Sequence, residues 1–265
     1  MRLFSFGLLV VILAVMSSAA QCQVVSPAAA PAQGGGKGMA AVAQAATAQK
    51  YLFVFFWREQ SAQTDQRWKA LEAAAANLSD RAMVAAVSVT DPAERAIVER
   101  YGVSRAPMPL VLSIAPCGAI TKAFPGRLDE NQLRAALVSP CTEKCMKALQ
   151  ERKLVLLCVQ NSTTEFNVAA IQGVQDFKAD QQYAAATEVV YLNSADQAEA
   201  SFLQGLQVDP QKTVPVTVFM APPGTIVGKF EGSVTKDQLV TKLASAQSSC
   251  CPGGKCGPGG CGPKR

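Results

Sequence analysis

A chain of 265 residues, 49% of them apolar, is long enough for two hydrophobic cores, and its net charge of +5 is spread without a basic run, so nucleic acid is not expected as a partner. It contains no histidine, which removes the usual general base, transition-metal ligand and pH switch together and excludes Ser-His-Asp and Cys-His mechanisms. Nine cysteines remain to be accounted for.

The opening, residues 1–20, reads as a secretory signal: Arg2, an apolar run from Leu3 to Met16, then the small residues Ser18-Ala19-Ala20. The run is shorter than the roughly 20 residues of a spanning helix, so no membrane span is expected after cleavage and the protein is expected to be secreted or periplasmic. Gln21 precedes Cys22 where lipid attachment prefers a small residue, which argues against a lipoprotein. Residues 21–47, almost all Ala, Gln, Gly and Pro, read as a low-complexity linker.

The run 51–57, YLFVFFW, predicts a strand buried on both faces. Residues 61–78 carry Trp68, Leu71, Ala74 and Ala75 at helical spacing, 82–89 form a second strand, and Asp91-Pro92 opens a short helix that Gly102 ends. Two strands then meet in a hairpin about Pro116-Cys117-Gly118, and Asp129 caps a helix through Leu137. The order βαβαββα returns in the strand 153–160, helix 166–177, strand 186–192, helix 194–206, a hairpin about Pro222-Pro223-Gly224 and a helix capped by Thr235. Residues 108–137 align without a gap on 214–243, with ten identities in thirty positions, among them Pro109/Pro215, Gly118/Gly224 and Gln132/Gln238. Such a match predicts two copies of one α/β domain, at 48–138 and 139–247, each a mixed sheet flanked by helices; the Gly- and Pro-dense 248–265 is a tail expected to lack regular structure.

The Phe-Trp strand end at Phe56-Trp57, the stretch Tyr101-Gly102 leading to Pro109, and the hairpin with its closing Gly126 resemble the thioredoxin family. The resemblance implies tandem thioredoxin-like domains, with the active Cys-x-x-Cys at a helix start and a cis-proline beside a groove that binds an extended peptide. The matching positions here are Ser61 with Thr64 and Ser162 with Glu165. Neither pair contains sulfur, so both sites are expected to be redox-silent with no catalytic residue, while the groove can outlast the chemistry. Counting from Tyr101 favours Pro107 as cis-proline; the longer match to the second copy favours Pro109, paired with Pro215.

Among the cysteines, Cys158 reads as a small buried hydrophobe ending its strand where Trp57 ends the first. Cys117 sits at a hairpin tip. Ser139 and Pro140 open a helix that places Cys141 in its first turn, where an anionic sulfur is favoured, and Cys145 one turn on along the same face. Cys250, Cys251, Cys256 and Cys261 recur along the tail. These seven are candidates for disulfides or for a soft metal such as Cu(I). The Cys-x-x-x-Cys spacing also resembles Sco-type copper chaperones, although the pair precedes the first strand of its domain and that family's histidine is missing. The expected function is therefore a binding or scaffold module for a protein or extended peptide with no resident cofactor. The alternative is a thiol oxidoreductase or Cu(I)-handling protein using Cys141, Cys145 and the tail.

Overall fold

A computed structural model describes residues 36–126 and 128–248. The expected signal peptide, Cys22 and the four tail cysteines lie outside the described residues, all of which belong to a unit that begins at Gly34.

In the first half β1 (Tyr51–Trp57) lies between β2 (Ala82–Ser88), parallel to it, and β3 (Leu110–Ile114), antiparallel, with β4 (Ile120–Phe124) completing the order β2-β1-β3-β4. In the second half β5 (Leu154–Gln160) lies in the same way between β6 (Thr187–Asn193) and β7 (Val216–Ala221), with β8 (Thr225–Glu231) at the edge. Strand side chains alternate between faces, so each sheet separates two cores. Phe53 and Phe55 join Leu71 of α2 (Ala62–Ala75) and Leu133 of α4 (Glu130–Arg134), while Leu52, Val54 and Phe56 join Val42 of α1 (Lys37–Thr47) and Ile97 of α3 (Arg95–Arg100). In the second half Val155, Leu157 and Val159 meet Cys145 of α5 (Pro140–Gln150) and Leu203 of α7 (Ala200–Gly205). Leu156 and Cys158 meet Phe177 of α6 (Asn167–Ala179) and Leu239 of α8 (Lys236–Ser248). Each half is thus a thioredoxin-like domain.

The two halves share small details as well as topology. A bulge interrupts β3–β4 pairing at Ser113/Ile114 and β7–β8 pairing at Phe219/Met220. Gln132 and Gln238 each return a side-chain oxygen to the backbone N–H of the capping residue, Asp129 or Thr235, whose own side chain accepts from the glutamine N–H. These reciprocal capping boxes give the repeated glutamine its reason.

Three sequence expectations are corrected. Residues 37–47, read as part of a linker, form α1, which belongs to the first domain and buries Gly38, Val42 and Ala45. An alanine-rich segment carries little apolar patterning, yet small residues suffice where a helix lies close to a sheet. Cys158 stands in register with Phe55 rather than Trp57: each is the last buried core residue on the α2 or α6 face of its strand, and Gln160 ends β5 as Trp57 ends β1. The expected helix after Asp91 divides into a 3-10 turn at Pro92–Glu94 and the short α3.

Only Val138 and Ser139 separate the last buried turn of the first domain from α5, which packs on both domains. Cys145 and Ala148 face the second core, while Met146 packs against the first. The Tyr51 hydroxyl donates to Glu143 and the Gln150 side chain both accepts from Ile120 N–H (2.9 Å) and donates to Ile120 C=O (2.6 Å). Gln150 thereby satisfies backbone groups at the start of an edge strand that otherwise faces outward.

Candidate functional site

The first copy holds the geometry of the expected groove. Ser61 is extended and caps α2, its Oγ accepting from Thr64 N–H at 3.1 Å. The Thr64 hydroxyl lies 3.0 Å from that Oγ and 2.9 Å from the Glu59 carbonyl, to which it donates. Where a thiol pair would carry electrons, two hydroxyls are thus tied to each other and to the backbone. The Met108–Pro109 peptide is cis. Ser61, Gln63, Thr64, Trp57, Met108 and Pro109, together with Arg58 and Glu59, line one depression of about 300 Å³. Among the described residues, neither the backbone N–H nor the C=O of Met108 makes a hydrogen bond.

The second copy departs from this arrangement. Residues 161–166 between β5 and α6 number six, against four at 58–61, and α6 starts only at Asn167. Ser162 and Glu165 therefore sit in the loop, not at a helix start. Asn161 organises that loop, its Oδ1 accepting from Thr163 and Thr164 N–H (2.8 and 3.1 Å) while its side-chain nitrogen donates to Ser194 at 2.7 Å. Glu165 N–H then donates to the Thr213 carbonyl at 2.8 Å, so the chain leading to Pro215 is engaged by the protein's own loop. The cis peptides among the described residues are Met108–Pro109 and Pro222–Pro223, and Pro215 does not take the role that the repeat suggests. Its segment is instead fixed from both sides, through Thr213 and through the Pro215 carbonyl, which accepts from Gly232 N–H.

Cys117, Cys141, Cys145 and Cys158 are free thiols. The expectation of an anionic Cys141 is corrected: burial and the adjacent Glu199 carboxylate push its thiol up to about 11. Glu199, 2% exposed, enters from the turn before α7, accepts from Cys141 N–H at 3.0 Å and is donated a hydrogen bond by the Ser139 hydroxyl. The helix N-terminus is thus already neutralised by a carboxylate, and a second anion there is disfavoured. Burial, with Cys141 nearby, pushes Cys145 up to about 12, and burial alone does the same to Cys158. Cys117 is exposed, its sulfur 3.9 Å from the Glu143 carbonyl and its thiol also raised, chiefly by burial of the sulfur. Among the described residues no group of three or more His, Cys, Asp and Glu is placed to hold a metal, and no helix is long and apolar enough to cross a membrane.

Sequence reasoning missed Glu94 and Glu199. Their signal is an Asp-x-x-Glu repeated after the second strand of each copy, at Asp91/Glu94 and Asp196/Glu199, which aligns only when the match is extended backwards through a one-residue gap. The unpaired Met108 backbone has no sequence signal beyond the proline that follows it.

No family model and no curated protein matches the chain. Solved structures to which it is similar include the zinc-bound form of human ERp44, at 11% identity and TM-score 0.35, covering 80% of this chain and 59% of that one. Others are the NTD_N/C domain of alkylhydroperoxide reductase AhpF from Enterococcus faecalis (14% identity, 76% and 97% covered, TM-score 0.27) and the first two thioredoxin domains of Naumovozyma dairenensis Eps1p (8%, 78% and 92%, 0.26). The chain spans a little under three-fifths of the ERp44 chain, at 59%.

Proposed function

We propose that this protein works outside the cytoplasm as a redox-silent binding module, and that it takes an extended peptide segment of a partner protein in the groove of its first domain. The observation that supports this is the Met108 backbone, whose donor and acceptor are left without partners beside the cis Pro109 and the capped hydroxyl pair Ser61/Thr64. An added strand satisfies such a pair of groups, and alternate side chains then fall into the flanking depressions. The second domain differs in that its own loop occupies the approach to the equivalent segment through Glu165 N–H and the Thr213 carbonyl, although Val214, like Met108, makes no backbone hydrogen bond among the described residues.

Peptides selected from a random library on the intact protein and titrated by amide NMR test the proposal. The Met108 amide should move and become protected from exchange, with no comparable effect at Val214. Selected peptides that leave Met108 unperturbed would remove the groove reading.

A further inference from the structure

We propose that the first domain holds a second binding site beside the groove, a cavity beneath Arg67 that takes a small apolar body carrying one carboxylate. Gln63, Gln66, Arg67 and Ala70 recur at helical spacing along one face of α2, and that face roofs a cavity of about 300 Å³. The floor is apolar, made by Phe55, Val111, Phe124 and Leu128 from β1, β3, β4 and the loop before α4. This volume is at the small end of ligand cavities, which span roughly 300–1,000 Å³.

Among the described residues Arg67 is the one charged group lining the cavity, and it is half-buried. Its Nη1 reaches two carbonyls only at long range, Pro109 at 3.4 Å and Pro125 at 3.3 Å, and it takes part in none of the ion pairs among the described residues. The two glutamine side chains make no hydrogen bond among the described residues either. A guanidinium fork held by weak contacts over an aromatic and aliphatic floor is complementary to a carboxylate, which it binds through two parallel N–H···O bonds. A neutral ligand would cover the fork without matching its donors. A free arylalkyl acid and the C-terminal aromatic residue of a peptide present the same chemistry.

The site adjoins the groove, sharing Gln63 and Pro109 with it, but Met108 and Thr64 line only the groove, whereas Arg67, Ala70 and Phe124 line only the cavity, and binding there needs no backbone pairing. The test titrates the intact protein with phenylbutyrate, its neutral analogue phenylbutanol, and N-acetyl-Gly-Phe with a free carboxylate, reading affinity together with the amide NMR signals of Ala70 and Met108. Either acid should shift Ala70 and bind about tenfold or more tightly than the alcohol. Whichever acid does so identifies the source, free acid or chain end. Arg67→Gln should remove that preference while leaving alcohol binding and melting temperature unchanged, and Ala70→Leu, which fills the cavity from its roof, should abolish both without moving Met108. Equal affinity for acid and alcohol, a preference that survives Arg67→Gln, or no shift at millimolar acid in a protein that melts normally would each overturn the proposal.

Discussion

Glu94 and Glu199 perform one task in the two domains, each entering as a buried carboxylate from the turn after the second strand to close the N-terminus of its own domain's first helix. Gly38 N–H donates to Glu94 at 2.9 Å, and Cys141 N–H to Glu199 at 3.0 Å. Both glutamates are almost wholly buried, at 5% and 2% exposure. A carboxylate costs much to bury, and these helix ends return the cost through charge-assisted hydrogen bonds and the positive end of the helix dipole. Glu94→Gln and Glu199→Gln should each destabilise the fold by about 1.5–3 kcal/mol. Denaturant melts of the two variants measure this, and a change within error for both would show that the bonds contribute nothing net.

Glu199→Gln should also change a cysteine 58 positions away in sequence. The carboxylate adds to burial in holding the Cys141 thiol at about 11, so its removal should lower the apparent pKa seen in the pH profile of Cys141 alkylation. Cys158, raised by burial alone, serves as the control whose profile should not move.

Alkaline pH should loosen the protein through its buried thiols. Cys145 and Cys158 are each raised from an ordinary value of 9.0 to about 12, so the folded state holds protons that the unfolded chain releases. Their contribution is fully present below pH 9 and is lost as the pH climbs from there through about 12. Melting temperature should fall over that interval, and Cys158→Ala should flatten the fall. A Cys158→Ala protein with the wild-type slope would mean that other groups, such as the buried Tyr51 hydroxyl, govern it.

Insulin reduction by dithiothreitol should run at the background rate with the wild-type protein, since Ser61 and Thr64 carry hydroxyls where thiols act. The double substitution Ser61→Cys/Thr64→Cys should bring turnover, because the first position lies at the start of α2, where a thiolate is favoured, and the Pro109 side of the site is already in place. Losing the Ser61 cap should cost about 1 kcal/mol. Wild-type turnover at the level of an ordinary thioredoxin would overturn the redox-silent reading.

Limited proteolysis should spare the segment 138–152. Tyr51 holds Glu143 and Gln150 holds both backbone groups of Ile120, which anchors α5 to the first domain while Cys145 and Ala148 anchor it to the second. Glu143→Ala/Gln150→Ala should speed cutting there several-fold, with each domain surviving as a fragment. Free cleavage of the wild type would show that α5 does not hold the domains rigidly.

The fold was legible in the sequence because its signals are local and repeated. Buried strands such as 51–57 are continuously apolar, turns carry proline and glycine, and the match of 108–137 to 214–243 keeps even the capping glutamines in place. Helix α1 escaped notice for the opposite reason: it needs only Gly38, Val42 and Ala45 against the sheet, and the residue that caps it, Glu94, is 56 positions away. The site divides in the same way. The missing cysteines at Ser61 and Thr64 could be read directly, whereas the second groove looked equivalent until two extra loop residues carried Ser162 and Glu165 off the helix and placed Glu165 N–H against Thr213. Cys141 shows the limit most plainly. Its position in a helix's first turn predicts a thiolate, and only the tertiary structure brings the buried Glu199 carboxylate to that turn, where the helix dipole is already answered and the sulfur keeps its proton.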